Sequence, residues 1–361
     1  MSNFLTLEAY VALSVAVGWG VPGSSNMHST IPPYWNPDEL PTRETLARAL
    51  RCPFPRRLNP NVAKAHERSS RWVRAKISDQ RMAARLIAAR MAWMVGGFFP
   101  SAGIEELSLA ADYISWAFAL DDLGDETELG KDPVRLAELF ETFDAVFDQP
   151  ARSSDGSAAH NLRDIVERLA RRSTPEQLQA FRQGNQAYFG GMLWEANNRA
   201  GNWVPNESSF LMLRPAAGAV PPFMALIEPL EKLKLPERVR KHPHLQELTH
   251  LAGGILCWTN DVLSYEKERA QSDVHNLAIV YEVQRSLTPG AALAQAVAFH
   301  NAEVDGFLAR SQALPELDVD GPEDVERYLD ILRSMIRVTR DWTLGSARYA
   351  DADALPVAAT G

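Results

Sequence analysis

Cysteine is nearly missing from this chain, whose 361 residues contain only Cys52 and Cys257. Far apart in sequence, the two match neither a disulfide framework nor a zinc-binding spacing, so a reducing, cytoplasmic setting is expected. Positive charge is also short. Lys and Arg number 37 against 46 Asp and Glu, the net charge is −9, and no block of like charge forms a tail, which argues against a nucleic-acid partner. Long apolar runs are lacking too. The stretch from Phe4 to Val21 is rather apolar, but no Lys or Arg precedes it and Glu8 interrupts it, so neither a secretory signal nor stable membrane association is expected. No segment alternates at period two, and neither repeats nor a Gly/Ser-rich linker divide the chain.

What remains is helical signal and ample core material, with 46% of residues hydrophobic. Apolar residues recur at spacings of three and four near 42–50, 60–77, 79–98, 104–122, 132–148, 158–172 and 175–200, then near 206–214, 216–228, 243–268, 273–286, 289–313 and 322–347. Thr174-Pro175-Glu176-Gln177 reads as a helix start, with Thr as N-cap, Pro at the first position and Gln closing a capping box. The fold class expected is all-α in one domain over residues 38–349. Residues 1–37 read as an irregular arm, broken by Gly18, Gly20, Pro22, Gly23 and Pro32-Pro33, and residues 350–361 as a mobile tail.

Two clusters carry the chemistry. The apolar run Trp116 to Leu120 ends in Asp121-Asp122-Leu123-Gly124-Asp125-Glu126, and on a helix Asp121 and Asp125 share a face. Crowded carboxylates repel one another unless a compact cation joins them, and oxygen ligands without His or Cys suit Mg²⁺ or Mn²⁺. A solvated helix end is the plainer alternative. The second cluster follows the apolar Gly253 to Trp258. There Asn260, Ser264 and Glu268 fall at i, i+4 and i+8, placing an amide, a hydroxyl and a carboxylate on one helical face. Its plainer alternative is an exposed polar face.

Together, the clusters resemble the two metal motifs of microbial class I terpene synthases, which ionise prenyl diphosphates and steer the resulting carbocation. Asp121-Asp122-Leu123-Gly124-Asp125 is similar to the family's aspartate-rich motif, and Asn260-Asp261-x-x-Ser264-x-x-x-Glu268 to its Asn/Ser/Glu motif. Arg348-Tyr349 resembles the Arg-Tyr pair that grips diphosphate, and Trp342 stands in the place of a cavity aromatic. Arg214, 46 residues before Asn260, stands where the family has a diphosphate-sensing arginine. Ala217 occupies a position that the family often makes polar, and Gly218 follows at the position whose carbonyl assists ionisation.

The resemblance implies a helical bundle around an apolar cavity, with Asp121, Asp125, Asn260, Ser264 and Glu268 holding metal. It implies three Mg²⁺ ions, with Mn²⁺ as a substitute, and diphosphate contacts from Arg214, Lys267, Arg348 and Tyr349. Phe118 and Trp342 would be cavity aromatics, and Arg214 and Gly218 would assist ionisation. Farnesyl diphosphate would be the substrate, a sesquiterpene the product, and the protein a monomer or homodimer. Phe98, Phe99, Trp116, Tyr188, Phe189, Trp194 and Trp258 are further aromatic candidates, for which a core role is the default. His275 is expected to cap or pack. Pro215 and Gly218 with Pro221-Pro222 predict an interrupted helix, non-helical at Arg214. Two other readings stay open: a chain-elongating prenyl transferase, whose family resembles two facing aspartate-rich motifs, and a non-catalytic helical protein that binds metal or isoprenoid.

Overall fold

A computed structural model describes residues 34–148, 156–313, 322–346 and 348, apart from the side chains of 125, 126 and 322. The expected tail and all but residues 34–37 of the expected arm lie outside these; within residues 34–37, Trp35 is buried. Among the described residues every regular element is helical. In chain order they are α1 (Arg43–Ala49), α2 (Val62–Lys76), α3 (Gln80–Ala88), α4 (Met91–Phe98), α5 (Ile104–Glu126), a 3₁₀ turn (Glu128–Lys131), α6 (Pro133–Ala145), α7 (Gly156–Ala170) and α8 (Pro175–Gly201). Then follow α9 (Glu207–Ala217), α10 (Val220–Ala225), α11 (Ile227–Glu231), α12 (Glu237–Arg240), α13 (Pro243–Ala270), α14 (Leu277–Arg285), α15 (Pro289–Gln312) and α16 (Pro322–Gly345).

Local chemistry explains most boundaries. α8 opens on the predicted capping box, Thr174 accepting from the Gln177 amide while Gln177 accepts from that of Thr174. The expected helix over 79–98 is two, because Arg90 takes the left-handed conformation at φ 54° and stacks its guanidinium 3.7 Å from the Trp93 ring. α5 runs past 122 to Glu126. The expectation that Arg214 is non-helical fails: α9 continues through Pro215 to Ala217. Buried contacts on both sides of Pro215 outweigh the roughly 3 kcal/mol that an interior proline costs. The interruption falls instead at Gly218-Ala219, where Ala219 has φ 56° and Pro221-Pro222 offer no amide donors to carry the helix backwards. A second break at Leu226 divides α10 from α11.

The long helices form a ring. α5 packs on α2 and α4, α4 on α16, α16 on α13, α13 on α9, and α9 on α8. Hydrogen bonds close the circuit, Tyr113 donating to Asn185 at 2.9 Å and Tyr188 to the Ala117 carbonyl at 3.2 Å. Missing side chains permit close approaches between α8 and the segment that follows it in the ring. A Cβ at Gly191 of α8 would lie 2.3 Å from the Ala217 nitrogen, and one at Gly184 would lie 2.8 Å from the Pro222 backbone. Seven residues apart, these glycines share a face of α8, Gly191 seating the end of α9 and Gly184 the start of α10 against it. Outside the ring, α14, α15 and the outer side of α13 make a second apolar cluster around Trp258, Tyr281 and Phe299.

Candidate active site

Inside the ring lies a cleft with about 1140 Å³ of free space, its mouth included. Its deep walls are Phe98, Ile114, Phe118, Tyr188, Phe223 and Trp342, and its rim carries Asp121, Arg214, Asn260, Lys267, Glu268 and Arg348. The helix ends at this mouth break local rules. α5 carries Asp121 and Asp122 in its final turns and no basic residue in its last turn, so carboxylates crowd the negative end of a helix dipole. A fold that tolerates such conflict at a cavity rim marks it as a place of function.

Asp121 faces the cleft, whereas Asp122 is buried and turned to arginines. Arg85 donates to Asp122 at 3.2 Å, and Arg348 donates to Asp122 at 2.7 Å and to Asp121 at 3.3 Å. The same Arg348 guanidinium lies 4.5 Å from the Phe118 ring centre, and that ring is 5.9 Å from Trp342, whose indole donates to the Ala89 carbonyl. Burial, with Glu195 and Asp122 nearby, raises the Asp121 carboxyl to about 6 against the pull of Arg348. Asp125 lies on α5, but its side chain is not among those described, and Tyr349 lies outside the described residues.

Across the cleft, α13 carries Asn260, Ser264 and Glu268 in the expected helical register; Asn260 and Glu268 line the cleft, whereas Ser264 is buried behind its lining. Ser264 donates to the Asn260 carbonyl at 2.7 Å. Arg214 is buried and spans two partners: its Nε and Nη2 donate to Asp261 at 3.0 and 2.7 Å, and Nη2 also reaches the Asn260 side-chain oxygen at 3.1 Å. Burial opposes its charge, but Asp261 and further carboxylates hold the guanidinium firmly protonated. Glu268 is raised to about 7 by burial and by Asp261 and Asp273. Gly218 lines the cleft beside these groups; a Cβ there would meet the Arg214 guanidinium at 2.9 Å and the Cys257 sulfur at 3.1 Å. Of the other candidate aromatics, Phe98 and Tyr188 line the cleft, while Phe99, Trp116, Phe189, Trp194 and Trp258 belong to the surrounding core. His275 packs against Trp194, and the cap of α14 is its neighbour Asn276.

Residues 112–305 match the family model "Terpene synthase family 2, C-terminal metal binding". The chain belongs to that terpene synthase family. It is 35% identical to the (+)-T-muurolol synthase ((2E,6E)-farnesyl diphosphate cyclizing) of Roseiflexus castenholzii, over 75% of this chain and 82% of that protein. It is 28% identical to the germacrene A synthase of Nostoc punctiforme, over 86% of this chain and 98% of the relative. Wild-type cucumene synthase shares the fold, with a TM-score of 0.72 at 26% identity, covering 82% of this chain and 99% of that one. The class I α-fold is therefore the fold of this chain.

A divalent-metal cofactor comes with membership of this metal-binding family. The donors fit one: they are hard oxygens only, and Asp121 and Glu268 are raised first by burial and then by their own carboxylate neighbours, Glu195 and Asp122 for the one and Asp261 and Asp273 for the other, a penalty that a cation would relieve. Among the described residues no three His, Cys, Asp or Glu side chains converge on one point, because the α13 wall offers an amide and a hydroxyl beside its single carboxylate. In this terpene synthase, sequence reasoning passed over Glu195 and Arg199 of α8, which also line the cleft. Arg199 bridges Glu195 at 3.4 Å and Asp273 at 3.8 Å. One signal was present: Glu195 is a charge set directly behind the apolar Met192-Leu193-Trp194.

A pH dependence follows for the metal-free protein. Asp121 and Glu268 hold their protons to higher pH when folded than when unfolded, so their stabilising contribution is lost as pH rises through about 6 and 7. Half-buried His250 and buried His300, lowered to about 4, act oppositely, but that effect is confined below the ordinary histidine value. With a chelator, Tm is expected to fall between pH 6.5 and 8, by roughly 2–4 °C for each kcal/mol lost, and Glu268→Gln to lessen the decline, the remainder belonging to Glu303 of α15, which burial also raises to about 7. A divalent cation held by these two carboxylates should raise Tm more at pH 8 than at pH 6.5, because they would have to shed protons to bind it. A decline unaffected by Glu268→Gln in calorimetric scans would show that other groups carry it.

Proposed function

We propose that this terpene synthase ionises and cyclises farnesyl diphosphate to a sesquiterpene hydrocarbon or alcohol, releasing diphosphate, with residues 38–349 as the catalytic domain. One observation carries the reading. Asp121 of α5 and Asn260 and Glu268 of α13 line one aromatic-walled cleft together with Arg214 and Arg348, an arrangement that supports metal and diphosphate binding there. The (2E,6E)-farnesyl diphosphate named in the Roseiflexus relative supports the C15 chain. Asn260, Ser264 and Glu268, where a prenyl transferase would be expected to repeat the aspartate motif, favour cyclisation over elongation.

Breaking the C–O bond of a prenyl diphosphate places further negative charge on the leaving group, so the site must hold that charge better in the transition state than before it. Mg²⁺, as three ions held by Asp121, Asp125, Asn260, Ser264 and Glu268, would supply most of the positive charge, and Mn²⁺ would substitute. Arg214, Lys267, Arg348 and Tyr349 donate hydrogen bonds to phosphate oxygens. For Arg348 this means exchanging Asp121 for phosphate while keeping its shorter bond to buried Asp122. Gly218 lines the wall where α9 is interrupted, and its carbonyl dipole would assist the new cation. Deeper in, Phe118 and Trp342 present ring faces to migrating positive charge, and the apolar wall keeps water from it. The protein acts as a cytoplasmic monomer or homodimer. No single helix among the described residues is long and apolar enough to cross a membrane.

The deciding experiment incubates purified protein with geranyl, farnesyl and geranylgeranyl diphosphate, with Mg²⁺ or chelator, and reads products by gas chromatography and mass spectrometry. A Mg²⁺-dependent cyclic C15 product is expected. A longer prenyl diphosphate formed with isopentenyl diphosphate would establish the transferase instead, and no turnover in folded, metal-binding protein a non-catalytic role. Phe118→Ala is expected to alter the product mixture or cut the rate by about tenfold, corresponding to one lost cation–π contact of 1–2 kcal/mol. The Mg²⁺-induced shift in Tm should survive. An unchanged rate and product profile would return Phe118 to the core.

A further inference from the structure

Beyond the expected ligands, the turn between α13 and α14 contains a side chain that the mechanism has not used. Asn276 is fully buried, and both ends of its amide are engaged. Its amide nitrogen donates to the Glu268 carboxylate at 2.8 Å and to the Asp261 main-chain carbonyl at 2.7 Å. Its oxygen accepts from the Ala278 amide at 2.9 Å, capping α14. The Ala278 N–H thereby settles which end of the side chain meets Glu268, since an amide turned over would place NH₂ against N–H. The turn itself is fixed twice more. Asp261 accepts from the Leu277 amide at 3.0 Å, and His275 joins Asp273 at 2.9 Å to Asn198 of α8 at 3.2 Å.

Glu268 stands three residues before the C-cap of α13, where helices fray and a long side chain has several rotamers. Nearby Asp261 and Asp273 repel its charge. Without a donor, the carboxylate would gain by turning away from them. Resting on the reading of Asn260, Ser264 and Glu268 as metal ligands, we propose that Asn276 is a positioning residue, holding Glu268 toward its helical partners so that the α13 wall meets metal preassembled. Because Asn276 also grips the Asp261 carbonyl, and Asp261 holds Arg214, one buried amide ties the metal wall to the diphosphate-contacting arginine.

Asn276→Ser tests this, since a hydroxyl can still cap α14 but cannot replace two amide donors. Asn276→Thr is its companion, because the extended backbone at φ −137° and ψ 135° suits a β-branched residue if Ser weakens folding. Mn²⁺ affinity is read directly by electron paramagnetic resonance with inorganic diphosphate present, beside the Mg²⁺ concentration for half-maximal turnover. Both are expected to weaken by about 10–100-fold, as for other partners of metal ligands, with kcat regained at saturating Mg²⁺ and little change in Tm of the metal-free protein. Glu268→Gln is measured in parallel. Should it leave Mn²⁺ affinity unchanged, the ligand reading itself fails. If Glu268→Gln weakens Mn²⁺ binding while both Asn276 variants bind it normally, only the positioning role is overturned, as it is by lost stability or kcat without lost metal affinity.

Discussion

Asp121→Ala and Asn260→Ala are each expected to lower turnover by about 10²–10³-fold or more, the scale of losing one preorganised charge-stabilising group, while the helical content stays unchanged. Each removes an oxygen from the lining of the cleft, and neither side chain belongs to the apolar core clusters. Asp121 is the more informative position. Its carboxylate crowds Asp122 and Glu195 at the negative end of α5, so its loss relieves repulsion in the metal-free protein. Arg348 keeps its shorter bond, to Asp122. Tm of Asp121→Ala in chelator should therefore equal or exceed that of the parent, the exchange of stability for activity seen at functional sites. Product formation by gas chromatography and melting by circular dichroism check both halves. Undiminished turnover in both variants would remove the metal assignment.

Arg214→Ala should damage both properties. The guanidinium is the buried partner of fully buried Asp261, and its removal strands a carboxylate that retains the Leu277 amide as its donor. Breaking a buried pair in this way costs about 3–5 kcal/mol, visible as a lower denaturation midpoint at unchanged slope. Turnover should fall by at least about 10²-fold, the scale of one lost donor to the departing charge. Combining Arg214→Met with Asp261→Asn removes both charges and should recover much of the stability without the activity. Activity returning with stability would make Arg214 a structural residue. A midpoint unmoved in Arg214→Ala would mean that Asp261 does not depend on it.

The helices were legible because their apolar periodicity and caps are local, as at Thr174 and Gln177. The register of the proposed metal residues was legible for a similar reason: positions on one helix are fixed by its pitch, and Asn260, Ser264 and Glu268 needed only α13 to be continuous. What escaped depends on neighbours. Periodicity could not separate Tyr188, which lines the cleft, from Phe189 beside it, because α8 is packed on several sides and carries no single apolar stripe. Arg214 was expected outside a helix on the rule for residues before proline, which burial and the Asp261 pair overrode. Asn276 gave no signal at all, since its partners Asp261, Glu268 and Ala278 meet only when α13 turns into α14.

The paired glycines of α8 give this active site a tuning point outside its own lining. Neither Gly184 nor Gly191 borders the cleft, yet the absence of a methyl group at each sets how near the chain on either side of the interruption may come, the end of α9 at Gly191 and the start of α10 at Gly184. A side chain at Gly191 has no slack to use, because what it meets is the Ala217 backbone rather than a movable side chain. The whole segment bearing Ala217, Gly218 and Arg214 must then shift as one piece. Divergence among enzymes built on this bundle can thus proceed by resizing the chamber from behind its wall, leaving every group that touches the cation chemically intact.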